Sequence, residues 1–551
     1  MRRLKHLARP FVGVGLLFLA ALCTPTQTSA QGIENYNAII VGARAASMGG
    51  AFTAVADDST ATVHNPAGLG GAPERGLSLN FSAYGFQRTR TEDIFNVAGE
   101  SVDLELDALL FYPGATAYVL PLSDEDADVH HTVAFSIVAP RFFEFEGLEN
   151  LSVPDNGVQL DVFQSRVQRM LQAGPSYAVK FGNVSFGASL FVQYATFTER
   201  FSSTTGIFFE TEDGGSGGSR VLDFEYSTGT YFGLTGTLGF LAELPSGTNL
   251  GATVQFPSLR LGGTTTSFLA EASSDVILDA GGSLADISLY QDIFREIEGD
   301  TNIRTPWHFA VGAAQKFGPH LLSIDVDLYL SIDSYDFVSG ADEVLIDIAP
   351  AELGDTLDLR GYDGRVTEPK RRTVVNLSLG GDFAVTDTLH MMFGIFTDFS
   401  SIPNSAIADY TQINLFGGSL GFRNVGEDST LVVGVTARYG NGSALGLSLT
   451  EFLEPIENEV DARQWSISLV VGGSKSLTDG DDDEDEEEAC EERNAEADAH
   501  EADEDAVAEE ARAEQNRLED EAQGSTNPSN IDESAPSNDP LDLDSEAPPV
   551  L

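Results

Sequence analysis

Regular alternation of apolar and polar residues is the feature that most restricts the fold of this chain. In "LSIDVDLYLSID", residues 322–333, apolar residues take every second position, and Ser, Asp and Tyr take the others. A period of two places the two sets on opposite faces of a β-strand. The runs "VSFGASLFVQY", "LVVGVTARY" and "WSISLVVG" repeat the pattern. A tilted strand needs roughly 9–11 residues to cross a bilayer, so runs of this length predict membrane strands.

A soluble β-sandwich also alternates, and the spacing of the strands separates the two interpretations. Short links near 181–184, 245–249, 316–320 and 384–388 take turns with long links near 200–225, 263–304, 339–372 and 440–462. This is typical of a membrane barrel with short periplasmic turns and long outer loops. We therefore predict an all-β chain, with a transmembrane antiparallel β-barrel of about 14 strands over residues 76–477.

The first 30 residues have the order of a secretory signal peptide. Basic residues precede the apolar run 11–22, and small residues, Thr28 and Ala30, follow it. The run is shorter than the roughly 20 residues of a membrane-spanning helix, although a membrane anchor is the other interpretation. After removal of residues 1–30, Cys490 is the only cysteine, so no intrachain disulfide or cysteine-based metal site is expected. No cofactor or metal is predicted.

Acidic residues dominate the charge of the chain. Net charge is −56 at pH 7, and nearly half of it lies in residues 478–551. This composition predicts a disordered periplasmic tail that is mainly solvated, with cation binding or a periplasmic partner as alternatives. The charge argues against binding nucleic acid, whose phosphates it would repel. Lysine occurs only five times, as in many proteins that work in high salt.

The stretch "GARAASMGGAFTAVADDSTATVHNPAGLGG" precedes the strands and differs from them in composition. It resembles the N-terminal hatch of the FadL family of outer-membrane transporters for long-chain fatty acids and aromatic hydrocarbons such as toluene. The resemblance rests on residues 42–44, 48–51, 56–58 and 65–68, and the hatch residues chosen from them are Gly49, Gly50, Asp57, Asp58, Asn65, Pro66, Ala67 and Gly68. It implies a 14-stranded barrel whose lumen is plugged by a small domain, here residues 31–75.

The residues of this stretch suit a packed plug. Glycine and alanine allow close approach to a wall. Asp57 or Asp58 is placed to cap a short helix from Ser59 to about His64. Pro66 disfavours helix at Asn65 and so ends it. A disordered linker after the signal is the alternative.

The resemblance also implies capture of ligand at the outer loops, binding in an apolar lumen, and sideways exit through a gap beside a kinked strand. In "TVAFSIVAPRFFEF", Pro140 lies inside the third predicted strand. Proline cannot donate a ladder hydrogen bond and marks a bulge, an edge or a break, so we place the gap there. Alternatively, the strand ends near Ala139.

Apolar residues in the predicted loops are ligand-binding candidates. Residues 163–172 and 283–299 have apolar positions at helical spacing, which predicts amphipathic helices that either form a ligand groove or simply cover the barrel mouth. Arginine would suit a fatty-acid carboxylate, although Asp325 or Asp327 could occupy it instead. The candidates are Phe142, Phe143, Phe145, Leu284, Ile287, Phe294, Arg141 and Arg438.

The predicted function is passive transport of hydrophobic compounds by a monomer in the outer membrane of a Gram-negative-type bacterium, in contact with outer-membrane lipid. A FadL-like barrel could instead be a scaffold for protein secretion or surface attachment. An enzyme is not expected, because serine lacks the context of a nucleophile elbow and only eight histidines occur.

Overall fold

The computed structural model describes residues 35–37, 39–71, 76–97, 100–112, 114–124, 127–153, 158–210, 215–278, 284–347, 366–368, 370–403, 411–426, 428–449 and 455–476. Within these residues a closed, antiparallel sheet of 14 barrel strands surrounds a short helical segment. The predicted signal peptide and acidic tail lie outside the described residues. Within the described residues, no helix has the length and apolar character that a membrane crossing requires.

Several barrel strands consist of successive pieces that share at least one neighbouring strand. The strands are β1 Gly76–Val97, β2 Glu100–Tyr112 with Ala115–Pro121, β3 Val129–Val153, β4 Val158–Phe181, β5 Val184–Glu210, β6 Ser216–Glu243, β7 Thr248–Gln255 with Leu259–Gly262 and Thr264–Leu278, β8 Leu284–Thr301 with His308–Phe317, β9 His320–Tyr329 with Tyr335–Asp347, β10 Val366–Glu368 with Val374–Ala384, β11 Leu389–Asp398, β12 Gln412–Val425, β13 Ser429–Leu449 and β14 Pro455–Ser476. β14 pairs antiparallel with β1, for example Ser78 with Ser474, and this pairing closes the barrel. The predicted 14-stranded barrel is confirmed.

The alternation in the sequence becomes the two faces of the wall. On β5, Phe186, Leu190 and Val192 are each at least half exposed, whereas Ser185 and Ser189 are buried. Large apolar side chains therefore face outward, as lipid requires, and small polar ones face the lumen. The prediction for residues 322–333 holds over β9, where Ile324 is exposed and Asp325 is buried.

Tight turns join the strands at one end of the barrel, which we call the turn end; the opposite end is the loop end. Gly182 and Asn183 form the two-residue link between β4 and β5, and Gly182 has φ of 54°. Glycine adopts this left-handed conformation without steric cost. Such a turn sets the register of its hairpin over the whole length of both strands.

The long links in the sequence are mostly strand rather than loop. β5 and β6 pair without interruption out to Glu210 and Ser216, far beyond the length that crosses a bilayer. The predicted helices at 163–172 and 283–299 are wrong, because β4 covers the first and β8 covers most of the second. Cross-strand hydrogen bonding outweighs the weak helical spacing of a few apolar residues.

Residues 39–71, here called the inner segment, contain two short α-helices and a 3-10 helix. These are α1 Ala43–Ser47, α2 Ala61–His64 and the 3-10 helix Pro66–Gly71. α2 starts slightly later than predicted, and Asn65 is extended, as a residue before proline favours. Met48, Phe52 and Leu69 are fully buried and pack with inward residues of the wall.

Candidate functional site

Glycines form the part of the wall that contacts the inner segment. A Cβ at any of these positions would come too close to an atom of that segment. We call the following set, one glycine on each of eight strands, the glycine ring: Gly187, Gly239, Gly251, Gly312, Gly380, Gly394, Gly421 and Gly434.

Two members of the glycine ring show how close the contact is. A Cβ on Gly239 would overlap the side-chain oxygen of Asn65 and lie 2.9 Å from the backbone nitrogen of Ala67. A Cβ on Gly394 would lie 2.6 Å from the Cα of Gly49. Backbone therefore meets backbone at these points, and no other residue type leaves the necessary room.

Polar side chains bind the inner segment to the wall at specific points. The carboxylate of Asp325, on β9 between two ring strands, accepts the backbone N–H groups of Phe52 at 2.7 Å and Thr53 at 2.6 Å. The Asn65 amide donates to the carbonyl of Thr53 at 2.8 Å and to that of Phe240, on β6, at 3.0 Å. Because these groups are buried, each lost bond would leave an unsatisfied polar atom.

Near the turn end, ionic side chains connect α1 to the wall; we call them the inner ion cluster, consisting of Arg44, Asp57, Asp382, His390 and Arg423. Asp382, on β10, accepts from Arg423 at 2.7 Å and from His390 at 2.8 Å. Arg44 pairs with Asp57 and lies 3.6 Å from Asp382. One buried carboxylate thus serves two arginines, so its removal would leave buried positive charge.

The structure brings the predicted hatch residues together in one compact unit. Gly49 and Gly50 have positive φ at the end of α1. Asp58 accepts from the backbone N–H of Thr60 at 2.8 Å, but Thr60 is the N-cap of α2 and no side chain caps that helix, so the predicted cap by Asp57 or Asp58 is wrong. A Cβ on Gly68 would collide with the carbonyl of Ala56. Pro66 and Ala67 lie against Gly187, as Asn65 does against Gly239.

Further toward the loop end, apolar side chains meet across the lumen. The inner apolar cluster consists of Met170, Ala195, Phe197, Tyr231, Ile303, Phe337 and Val338. The rings of Phe197 on β5 and Phe337 on β9 lie 5.2 Å apart, although three strands separate them around the wall. β7, β8 and β9 are each interrupted near this level, and Ile303 lies in one interruption. Pro257 and Pro306, which cannot donate ladder hydrogen bonds, explain two of them.

Charged side chains lie next to the inner apolar cluster on strands β4, β5 and β6, on the side nearer the loop end. Arg166 on β4 and Glu199 on β5 lie directly opposite in register, are both buried, and form an ion pair at 2.8 Å. Glu225 on β6 is a diagonal neighbour of Glu199, since Glu199 pairs with Ser227. These residues are about 15 or more positions from the turn end, beyond the roughly 9–11 that cross a bilayer. Burial, and then the Glu199 carboxylate, raise the pKa of Glu225 to about 8.

The wall has an unpaired stretch between β2 and β3. Their ladder runs from Pro121 and Thr132 to Ala115 and Val138 and stops there. Within the described residues, no ladder joins the remainder of β2, Glu100–Tyr112, to the remainder of β3. Pro140 lies at this point, in a register shift between Val138 and Arg141 against β4. β3 continues to Val153, so the alternative that the strand ends near Ala139 is wrong.

Comparison with known proteins gives the fold a precedent. No family model matches the sequence, and no curated protein matches it. A solved structure described as the TodX deltaS2S3 mutant monoaromatic hydrocarbon channel is 14% identical, with a TM-score of 0.50 over 79% of this chain and 99% of that chain. The chain has the fold of the FadL-type channels.

Two further solved structures of the FadL type match at similar levels. The toluene transporter TodX of P. putida is 16% identical, with a TM-score of 0.49 over 81% of this chain and 99% of that chain. A FadL homologue of Pseudomonas aeruginosa is 12% identical, with a TM-score of 0.48 over 81% of this chain and 100% of that chain. At such identities the likeness to FadL-type channels concerns the fold alone.

Only one of the predicted ligand-binding residues has a described side chain in this FadL-type barrel. Arg438 is largely buried, lies 4.0 Å from Asp398 and stacks over the ring of Phe396. The alternative that Arg438 pairs with a lumen carboxylate is therefore supported, but the partner is Asp398, because Asp325 binds the inner segment and Asp327 pairs with His308 at 2.7 Å. The following have backbone positions on β3 or β8, but their side chains lie outside the described part: Arg141, Phe142, Phe143, Phe145, Leu284, Ile287 and Phe294.

Sequence reasoning missed the Arg166–Glu199 pair and the inner apolar cluster. A signal for the pair existed, because the two-residue turn at Gly182 sets the hairpin register. Counting equal steps outward from that turn brings Arg166 opposite Glu199. The contact between Phe197 and Phe337 had no such signal, since it depends on the curvature of the closed wall.

Proposed function

We propose that this protein conducts hydrophobic compounds passively across an outer membrane, with long-chain fatty acids and aromatic hydrocarbons as the candidate classes. The turn end then faces the periplasm, and the inner segment closes the direct route. A ligand enters from the loop end, binds at the inner apolar cluster and leaves sideways between β2 and β3. The resemblance to hydrocarbon channels supports this reading at the level of the fold.

The loss of the ladder beside Pro140 is the observation that carries the proposal. A closed barrel hides every strand edge from lipid, because an unpaired backbone group in hydrocarbon costs several kcal/mol. The unpaired stretch starts about 9–11 positions from the turn end, at the outer edge of the span that crosses a bilayer, so it meets lipid only at that edge. For an apolar ligand, the membrane interior is a more favourable destination than water, so an exit through the wall favours release.

The proposal is tested by removing the bulge. Deletion of Pro140 leaves the pairs Val138–Gln172 and Arg141–Met170 in place and removes the extra residue between them. We expect the straightened strand to pair with β2. Uptake of radiolabelled toluene or oleate by cells that express the variant should fall to the level of cells without the barrel. Equilibrium binding to the purified protein should persist, because the inner apolar cluster is unchanged.

A matched control is Pro140→Gly, which keeps the bulge and removes only the proline ring. Glycine tolerates a bulge well, so uptake should stay close to that of the native protein. Native uptake by a correctly folded deletion variant would exclude the exit beside Pro140. Absence of binding and uptake in the native protein itself would exclude the transport function.

A further inference from the structure

The charges beside the inner apolar cluster restrict what can bind there. On the assumption of the proposed transport function, we propose that the ligand is an uncharged hydrophobic molecule, and that Arg166, Glu199 and Glu225 exclude organic carboxylates. Fatty-acid anions are then poor ligands, while hydrocarbons, esters and other neutral compounds are accepted.

Arg166 is the arginine that lies next to the inner apolar cluster on β4. Arg166 is buried and its guanidinium binds Glu199 at 2.8 Å, so its charge is already compensated. It lies on the same face of β4 as Met170, one member of the cluster. A ligand carboxylate at Arg166 would share a guanidinium that Glu199 already neutralises, and the Glu199 carboxylate would repel it.

Two acidic residues, Glu199 and Glu225, lie beside the single cation of Arg166. Glu225 lies beside Glu199 on the next strand and is partly buried. Among the described residues, no cation pairs with it. Whether Glu225 is protonated or ionised, a ligand carboxylate here lies beside the Glu199 carboxylate, and an ionised Glu225 repels it further.

Three arginines elsewhere in the wall are also bound by other groups of the protein. Arg438 is held by Asp398 and the ring of Phe396. Arg372 donates to the carbonyl of Ser400 at 2.8 Å and to the side chain of Asn414 at 3.3 Å. Arg260 donates to the carbonyl of Thr301 at 2.6 Å and pairs with Asp300. Each of these three guanidinium groups is therefore already bound by groups of the protein and is a poor partner for a ligand carboxylate.

The test compares two ligands that share one acyl chain and differ in charge, oleate and methyl oleate. Binding to the detergent-folded, full-length protein is measured at equilibrium with radiolabelled ligand at pH 7. We expect methyl oleate to bind more tightly by on the order of tenfold or more, because a carboxylate without a counterion is poorly tolerated in a buried site. Raising the pH to 9 ionises Glu225 and should weaken oleate binding further, without affecting methyl oleate.

Substitution of both acids provides the converse result. The double variant Glu199→Gln/Glu225→Gln frees Arg166, so oleate binding should strengthen by on the order of tenfold while methyl oleate binding changes little. Glu243→Gln is the matched control, since Glu243 pairs with Lys180 at the turn end and should affect neither ligand. If the double variant does not fold, the ratio of the oleate and methyl oleate affinities of the native protein tests the proposal by itself.

The outcomes separate the two proposals. Equal binding of oleate and methyl oleate, or tighter binding of oleate, overturns charge exclusion but leaves transport of hydrophobic compounds standing. Binding of neither ligand, nor of toluene, by a folded barrel overturns the transport function itself. Preference for methyl oleate that survives removal of both acids would show that these residues do not cause it.

Discussion

Replacement of Gly239 by alanine should open the barrel to small hydrophilic solutes. The added Cβ overlaps the Asn65 side chain and lies 2.9 Å from the backbone nitrogen of Ala67, so the 3-10 helix has to move away from β6. Overpacking of this kind costs about 1–3 kcal/mol. Swelling of vesicles that contain the protein, measured in an arabinose solution, should be slow for the native barrel and rapid for the variant.

Gly418→Ala is the matched control for this prediction. Gly418 is on β12, and the nearest atom to its added Cβ is a carbonyl oxygen 3.7 Å away, an ordinary contact. Vesicles with this variant should swell as slowly as those with the native protein. A second ring position, Gly394→Ala, should reproduce the leak, because it meets the inner segment at Gly49. Slow swelling with both Gly239→Ala and Gly394→Ala would contradict the claim that close contact with the glycine ring holds the inner segment in place.

The second large effect is expected for Asp382→Ala, which should lower the free energy of unfolding by about 3–5 kcal/mol. Asp382 is the carboxylate bound by Arg423 and His390, and it also lies near Arg44. Its removal leaves Arg423, a largely buried cation, with only the His390 ring at 3.0 Å as a partner. Unfolding in guanidinium from lipid vesicles, followed by tryptophan fluorescence, measures the loss.

An exposed acidic residue supplies the comparison for Asp382. Asp333 lies 3.8 Å from Lys370, and both side chains are largely exposed to solvent. Asp333→Ala should therefore cost no more than about 1 kcal/mol. Asp382→Asn, which keeps an acceptor but loses the charge, should fall between the two. Equal, small losses for Asp382→Ala and Asp333→Ala would show that the inner ion cluster contributes little to stability.

The wall could be predicted from the sequence because a barrel in lipid imposes a simple rule on every strand. Residues such as Ile324 and Asp325 alternate between lipid and lumen, and this alternation is visible without any knowledge of the neighbours. The bend after α2 was predictable for a local reason too, since Pro66 restricts Asn65 directly. In both cases a physical constraint acts within one stretch of chain.

Other features could not be predicted because they arise from register between distant strands. The sequence contains 55 glycines, and nothing local distinguishes Gly239 or Gly394 from the rest. Only the strand register of the closed sheet places them at the same height along the barrel axis, next to the inner segment. The ion pair between Arg88 on β1 and Asp107 on β2 has no local signal for the same reason, because only the ladder between the two strands places these residues opposite each other, 2.7 Å apart.

The glycine ring also bears on how the protein unfolds. Glycine contributes no side chain to packing, so at this level the wall has little internal contact besides its backbone ladder. The inner segment provides the buried apolar surface there, through residues such as Met48 and Phe52. Wall and segment are therefore expected to lose their structure in a single cooperative transition on heating, rather than as a stable barrel from which a separate domain has melted.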